Sequence, residues 1–301
     1  MQRRLFIAIL LFVLLAGAYL LQRERDADPS SEALPQRIVS LAPSITETLF
    51  ALGAGPRVVG VTRFCRYPPE ARTRASVGGY HDLDYEALLE LSADLVVLLP
   101  YHREAQSRIE RLGCRTVTVD QSSVRGILDS FISLGNELDC ADRAAALVAE
   151  LRARMGELRR RMAGKTRPRV LLSAGRSVGT GSLREVFIPG PGNFLDQLLV
   201  LAGGTNAYQG SLPYPSVSAE GILEMNPDVV IELVADAAGQ KAARESILAE
   251  WRSLPGLKAV KNSRVYVLMG DYVTVPGPRF IRTVEDMARV LHPQPGREEA
   301  P

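Results

Sequence analysis

Residues 142–164 read DRAAALVAELRARMGELRRRMAG, and the fold turns on them. Ala144, Leu147, Val148, Leu151, Met155, Leu158 and Met162 recur at steps of three, one, three, four, three and four, the stripe of a single amphipathic helix. Only Gly156 interrupts the run before Gly164, and no proline does. At a rise of about 1.5 Å per residue such a helix reaches roughly 30 Å, the width of a small domain, so it can join two lobes instead of packing inside one. Its other face, with Arg152, Arg154, Glu157, Arg159 and Arg160, is expected to stay in water. Arg159, Arg160 and Arg161 fall in the last turn, where cations favour the helix dipole, and this reading is preferred to a nucleic-acid patch.

Outward from this helix, both flanks alternate between strand and helix patterns. Before it come predicted strands at 37–41, 58–61, 95–99 and 116–119, with helices at 44–52, 85–91, 104–112 and 124–138. After it come strands at 170–173, 229–233 and 265–268, with helices at 194–201, 219–224, 242–252 and 281–291. Such alternation predicts mostly parallel sheets covered by helices. Ser44-Ile45-Thr46-Glu47 has the spacing of a capping box for the first helix. The expected fold is therefore α/β, two Rossmann-like lobes (37–141 and 165–292) bridged by one long helix (142–164), with a flexible tail at 293–301.

A repeat supports the doubling. Glu86-Ala87-Leu88-Leu89-Glu90-Leu91-Ser92-Ala93-Asp94-Leu95-Val96-Val97 aligns with Glu220-Gly221-Ile222-Leu223-Glu224-Met225-Asn226-Pro227-Asp228-Val229-Val230-Ile231 at a constant offset of 134. Each copy reads as short helix, turn and buried strand, and a Tyr-Pro step precedes each, at Tyr67-Pro68 and at Tyr214-Pro215.

The N-terminus is of another kind. Residues 5–21 form an apolar run after Arg3 and Arg4, the pattern of an export signal. Seventeen residues are at the short limit for a membrane span, so a cleaved signal and an uncleaved anchor both fit. Ala16-Gly17-Ala18 offers a cleavage site, and alanine stands where a lipoprotein signal needs cysteine, which excludes a lipid anchor there. Residues 22–36, mixing charges with Pro29, Ser30, Ser31 and Pro35, read as a flexible tether. The protein is expected outside the cytoplasm, either released after cleavage or held by the anchor.

Composition excludes several classes. With 46% hydrophobic and 23% charged residues the chain can bury a full core, and a formal net charge of +2 does not implicate nucleic acid. Cys65, Cys114 and Cys140 form no CxxC pair, and His81, His102 and His292 are scattered, so no metal site is expected. Buried thiols are the preferred reading; one disulfide with a spare thiol is the other. Gly179-Thr180-Gly181-Ser182 follows a strand but completes neither a phosphate-binding loop nor a dinucleotide motif. Neither a nucleophile elbow nor a Cys/His/Asp grouping occurs, so no enzyme is expected.

With those motifs in hand, the chain resembles the class III substrate-binding proteins of ABC importers, which deliver vitamin B12, ferric siderophores and haem. The carriers are Arg37-Ile38-Val39-Ser40-Leu41-Ala42-Pro43-Ser44 with Glu47, Tyr67-Pro68-Pro69-Glu70, Asp94-Leu95-Val96-Val97, Leu112-Gly113, Ala202-Gly203-Gly204, Pro213-Tyr214-Pro215-Ser216-Val217-Ser218-Ala219-Glu220 and Pro278-Arg279, in that order. The resemblance spans nearly all of residues 36–293 and is nearest to the vitamin B12-binding members.

It implies capture of cobalamin or a related corrinoid between the lobes, with a ferric siderophore or haem as the alternative. A third reading is an anchored scaffold or interaction protein that has lost its ligand. Aromatic faces with a few directed polar groups suit a large flat ligand. Loop residues offering them are Arg66, Tyr67, Tyr80, Tyr101, Tyr214, Asp271, Tyr272 and Arg279. Tyr67 and Tyr214 match cleft positions of the B12-binding members, although Tyr214 stands where tryptophan is frequent and the only tryptophan is Trp251. Arg66, Arg103, Arg176 or Arg279 would suit an anionic siderophore. Glu86 and Glu220, at equivalent helix starts, suit docking onto arginines of a two-fold symmetric permease in the inner membrane. No cofactor is expected, and the protein is expected to be a monomer.

Overall fold

The computed structural model describes residues 34–179, 183–235 and 240–293; the expected signal, nearly all of the tether and residues 294–301 of the tail lie outside them, as do residues 180–182 of the glycine-rich stretch. The first lobe runs β1 (Ile38–Ser40), α1 (Pro43–Ala51), β2 (Val58–Val61), β3 (Ala75–Ser76), α2 (Tyr85–Glu90), β4 (Leu95–Leu98), α3 (Arg103–Arg111), β5 (Arg115–Thr118) and α4 (Val124–Glu137). Its five strands pair in parallel in the order β3-β2-β1-β4-β5. Helix α5 (Ala141–Met162) follows, starting one residue before the predicted helix and ending two before its expected end.

The second lobe runs β6 (Arg169–Ser173), β7 (Val186–Phe187), α6 (Phe194–Leu201), β8 (Thr205–Asn206), β9 (Ser216–Val217), α7 (Ala219–Met225), β10 (Val229–Val234), α8 (Gln240–Arg252), α9 (Lys258–Lys261), β11 (Val265–Met269) and α10 (Phe280–Leu291). Here β11-β10-β6-β8 form a parallel sheet, and β7 pairs antiparallel with β9.

The stripe on α5 does what its spacing requires. Ala144 packs in the core of the first lobe, Val148, Leu151, Met155, Leu158 and Met162 pack in a core shared with the second, and Leu147 touches both. One face of one helix thus ties two cores together. Arg154 corrects the expectation of a fully wet opposite face. Its guanidinium makes two bonds of 2.8 and 2.9 Å to the Glu285 carboxylate on α10, because that helix packs beside α5.

The repeat holds atom by atom. Ser92 and Asn226 both adopt the left-handed conformation that ends a helix, at φ 46° and 41°. Asp94 accepts from the Arg37 N–H at 3.0 Å, and Asp228 accepts from the Arg169 N–H at 2.9 Å, so each carboxylate secures the start of its neighbouring central strand. Leu88 and Ile222 are both fully buried.

The capping box at Ser44 and Glu47 does not form. Helix α1 begins at Pro43 with Ala42 before it and no side-chain cap, and Ser44 is buried. Proline has no N–H to cap, which removes part of the need. Glu47 is left for another partner. The three cysteines are unbonded thiols; Cys65 and Cys114 are buried, and the Thr46 hydroxyl donates to Cys65 Sγ at 3.1 Å.

The described residues from Pro35 onward form one compact unit, and every buried residue of the four apolar cores lies within it.

Candidate functional site

Open parallel sheets present their loops for binding at the carboxyl ends of the strands. Most candidate residues sit there. Tyr67 and Arg66 follow β2, Tyr80 follows β3, Tyr101 follows β4, and Asp271, Tyr272 and Arg279 follow β11. Tyr214 lies just before β9 on a loop pinned from both sides, where the Pro213 carbonyl accepts from the Gly190 N–H at 2.8 Å and the Pro215 carbonyl from the Ile188 N–H at 3.1 Å. With its backbone fixed, the Tyr214 ring remains half exposed.

Four of the candidates come together between the lobes. The Arg279 guanidinium, at the start of α10, donates to both oxygens of Glu47 on α1 at 2.6 and 2.9 Å and to Asp271 Oδ1 at 2.7 Å. The Tyr67 ring lies over it, with its centroid 3.6 Å from the guanidinium carbon. Tyr272 flanks the group at 5.7 Å and is itself covered by Arg282 at 4.5 Å, while its hydroxyl donates to Asp286 Oδ2 at 2.7 Å. Gly277 allows the approach: a Cβ there would fall 3.1 Å from Glu47 Oε2 and 3.4 Å from Ser44 Cα.

Burial sets the electrostatics of this seam. Glu47 is only 4% exposed, and loss of water pushes its carboxyl up while Arg279 pulls it back. Burial opposes the Arg279 charge, but bonds to Glu47 and Asp271 outweigh it and hold the guanidinium charged. The Tyr272 phenol is pushed up to about 12 by burial and by its bond to Asp286.

A second group belongs to the first lobe alone. Phe64 stacks on Tyr80 at 4.8 Å, Tyr101 meets Tyr80 edge-on at 6.0 Å, and His102 lies 4.2 Å behind Tyr101. Phe64 and Tyr101 keep much of their surface in water. Burial, then the Cys65 thiol, raises the Tyr80 phenol to about 12; burial raises Tyr101 and Tyr214 as well. Burial and the His81 charge hold the buried His102 imidazole down at about 4.

The remaining candidates lie elsewhere. Glu86 and Glu220 are exposed in the first turns of α2 and α7, whose caps are supplied by Asp84 and Ser218 accepting from Ala87 and Gly221 N–H. Arg66 and Arg103 are exposed. Arg176 is the correction: its side chain is wholly buried in the second lobe, paired to Glu232 at 2.9 Å and Glu250 at 2.6 Å, and Trp251 donates to Glu232 beside it. Two carboxylates in one apolar interior need that cation, so it cannot reach out to a ligand. Trp251 is likewise core, not cleft.

Sequence reading missed Phe64 and the role of Glu47. Phe64 carried a signal, an aromatic side chain three residues after a strand end. Glu47 did not, since its partner is 232 residues away. Among the described residues no three His, Cys, Asp or Glu side chains gather as a metal set, and no helix is long and apolar enough to cross a membrane.

Two parallel α/β lobes on one helix, with an aromatic and ionic seam between their strand ends, define a two-lobed solute-binding protein. Residues 38–272 match the periplasmic binding protein family, and the chain belongs to that family of solute-binding, extracytoplasmic proteins. A vitamin B12-binding protein of Vibrio cholerae is 26% identical over 269 residues, covering 87% of this chain and 92% of its own length. The crystal structure of the periplasmic vitamin B12-binding protein BtuF of Vibrio cholerae matches with a TM-score of 0.73 at 26% identity, over 85% of this chain and 96% of that one. An ABC transporter substrate-binding lipoprotein of Bacillus subtilis is 27% identical over 280 residues, 91% of this chain and 85% of the relative. A periplasmic heme-binding protein of Pseudomonas aeruginosa matches with a TM-score of 0.76 at 25% identity, over 87% and 94% of the two chains.

Proposed function

We propose that the protein is the extracytoplasmic binding component of an ABC importer and captures cobalamin, or a related corrinoid, between its lobes. The observation that carries the reading is the seam at the strand carboxyl ends, where Tyr67 of one lobe covers Arg279 of the other beside Asp271 and Tyr272. A corrin is a broad ring edged by amides. Rigid aromatic faces grip such a ring at little entropic cost, and an arginine–aspartate pair offers both a donor and an acceptor to its amides. The relatives that bind vitamin B12 support the same ligand.

The apolar run at 5–21 directs export, and the tether at 22–36 lets a retained anchor hold the folded unit at the membrane. The bridging helix restricts the lobes to small hinge motions. Glu86 and Glu220, one per lobe and exposed on helices whose caps Asp84 and Ser218 supply, dock the loaded monomer on the permease. It catalyses no reaction.

Haem or a ferric siderophore is the second reading, favoured by the haem-binding neighbour and by the exposed Arg66 in the loop after β2 and Arg103 at the start of α3. The deciding experiment titrates a fragment beginning at Leu34 with cyanocobalamin, following tyrosine fluorescence and calorimetric heat. Saturable one-to-one binding at micromolar concentration or below is expected. Absence of binding, with saturation by haem or a ferric siderophore, replaces the first ligand by the second.

A further inference from the structure

The amino ends of the second lobe's strands carry a cationic surface unrelated to the cleft. A cavity of about 320 Å³ opens there, lined by Thr166, Arg167, Asp228, Lys258, Asn262 and Arg264. Asp228 is committed, since it accepts from the Arg169 N–H and pairs with Lys258. Lys165, Arg167 and Arg264 all press on His292 at the cavity's edge, which burial and these cations hold below its ordinary range. The last turn of α5 ends beside it, where Met162 and His292 both close on Gly203. Arg159, Arg161, Lys165, Arg167, Lys258 and Lys261 are all exposed. These six cations outnumber the neighbouring carboxylates Glu157 and Asp228 while the whole chain carries only +2, so the remainder is net negative.

We propose that this cationic end rests on anionic phospholipid headgroups. Charge complementarity is the first reason: separated, exposed cations around a headgroup-sized polar cavity suit a surface of phosphates better than one compact ligand. Reach is the second. Where it is retained, the apolar run at 5–21 holds the chain at a membrane, and the fifteen residues 22–36 span at most about 50 Å. The folded unit begins at the amino end of β1, where Arg57 donates to the Pro35 and Leu138 carbonyls beside the start of α5, while the cationic cavity lies by the other end of the same helix. A protein lying on these amino ends turns the strand carboxyl ends, and so the cleft, toward the medium from which ligand arrives; the loaded protein leaves the lipid before Glu86 and Glu220 dock on the permease. The inference does not depend on which ligand the cleft holds.

The test is co-sedimentation of the fragment beginning at Leu34, whose cores are complete, with vesicles of equal parts phosphatidylglycerol and phosphatidylcholine. Binding is expected to these and not to phosphatidylcholine alone, with release as salt rises. The triple variant Lys165→Glu, Arg167→Glu, Lys261→Glu should bind at least about tenfold more weakly, with its thermal midpoint unchanged. Should that variant fold poorly, Lys165→Gln with Arg167→Gln should give a smaller loss in the same direction. Equal binding to neutral vesicles, undiminished binding by both variants, or preference for an RNA oligonucleotide over vesicles overturns the proposal. So does release by inorganic phosphate at an ionic strength where chloride has no effect, which would assign the cavity to a free anion.

Discussion

Arg279 and Glu47, 232 residues apart, hold each other across the two lobes through paired bonds of 2.6 and 2.9 Å. Neither is well placed to stay charged alone, since Glu47 is 4% exposed and the Arg279 side chain 11%. The pair is therefore a condition for the lobes to meet as they do. Asp271 gives the arginine a second anion from its own lobe, and Tyr67 covers its face. A ligand that uses Arg279 must compete with Glu47 or bind around a latch that stays closed.

Breaking the latch should be measurable as stability. Glu47→Ala leaves a buried guanidinium with one carboxylate in place of two, and the expected loss is about 3 kcal/mol, the low end for a broken buried pair because Asp271 remains. Glu47→Gln, which keeps an acceptor, should lose less. Urea midpoints of the three proteins decide this, and spin labels on α1 and α10 should report a wider spread of lobe distances in Glu47→Ala. Unchanged midpoints and distances would assign the pair no role in closure.

His102 predicts an acid dependence. Its imidazole titrates near 4 in the folded protein because burial, then His81, disfavours the cation, against an unfolded value near 6.5. A depressed base stabilises the fold above the unfolded value, and that contribution is lost as pH falls from about 6.5 through 4. The lost share approaches about 3 kcal/mol. Denaturation of wild type and His102→Gln between pH 7 and pH 4 should give a steeper decline for wild type; parallel declines would refute it.

The parts legible in the sequence were those whose cause is local. The α5 stripe needs only a period near 3.6, and central strands such as Leu95–Leu98 and Val229–Val234 announced themselves as buried apolar runs. Two-residue strands such as β7 and β9 have no period to read, and they exist because the Pro213–Pro215 loop folds back on Ile188. Arg176 looked available as one of several arginines suited to an anionic ligand, yet Glu232 and Glu250, 56 and 74 residues on, draw it inside. Glu47 misled for the opposite reason: a sound local motif was present, but proline at the first helical position reduced the need for a cap and a distant arginine took the carboxylate.

Cleft residues should separate by position. Tyr67 contributes a face already ordered against Arg279, and Tyr214 a ring on a pinned loop, so each alanine variant should weaken corrinoid binding by roughly tenfold, Tyr214→Ala without loss of stability and Tyr67→Ala with a loss of about 1 kcal/mol from its contact with Arg279. Phe64→Ala should act less directly, by releasing Tyr80, with which it stacks at 4.8 Å. Calorimetric titration of the three variants is the check. Wild-type affinity in both tyrosine variants would remove them from the site.

Glu86 and Glu220 give the sharpest separation of binding from delivery. Capping alone would justify a first-turn carboxylate, but Asp84 and Ser218 already accept from the N–H groups of Ala87 and Gly221 at 3.0 and 3.3 Å. The two glutamates stand exposed at matched positions on helices that already have side-chain caps. Glu220 is held acidic by its own backbone N–H and by Ser218, so it keeps its charge under any condition in which transport is measured. In the proposed docking a two-fold symmetric permease would present arginines to both lobes, and the rim charges of such an interface set encounter and register more than stability. The double variant Glu86→Ala, Glu220→Ala should therefore keep its ligand affinity and thermal midpoint while transport in reconstituted vesicles falls by at least about tenfold, each single variant lying between. Charge reversal on the permease should restore transport to the corresponding lysine variants. Full transport by the double alanine variant would leave the pair as helix-start carboxylates and nothing more.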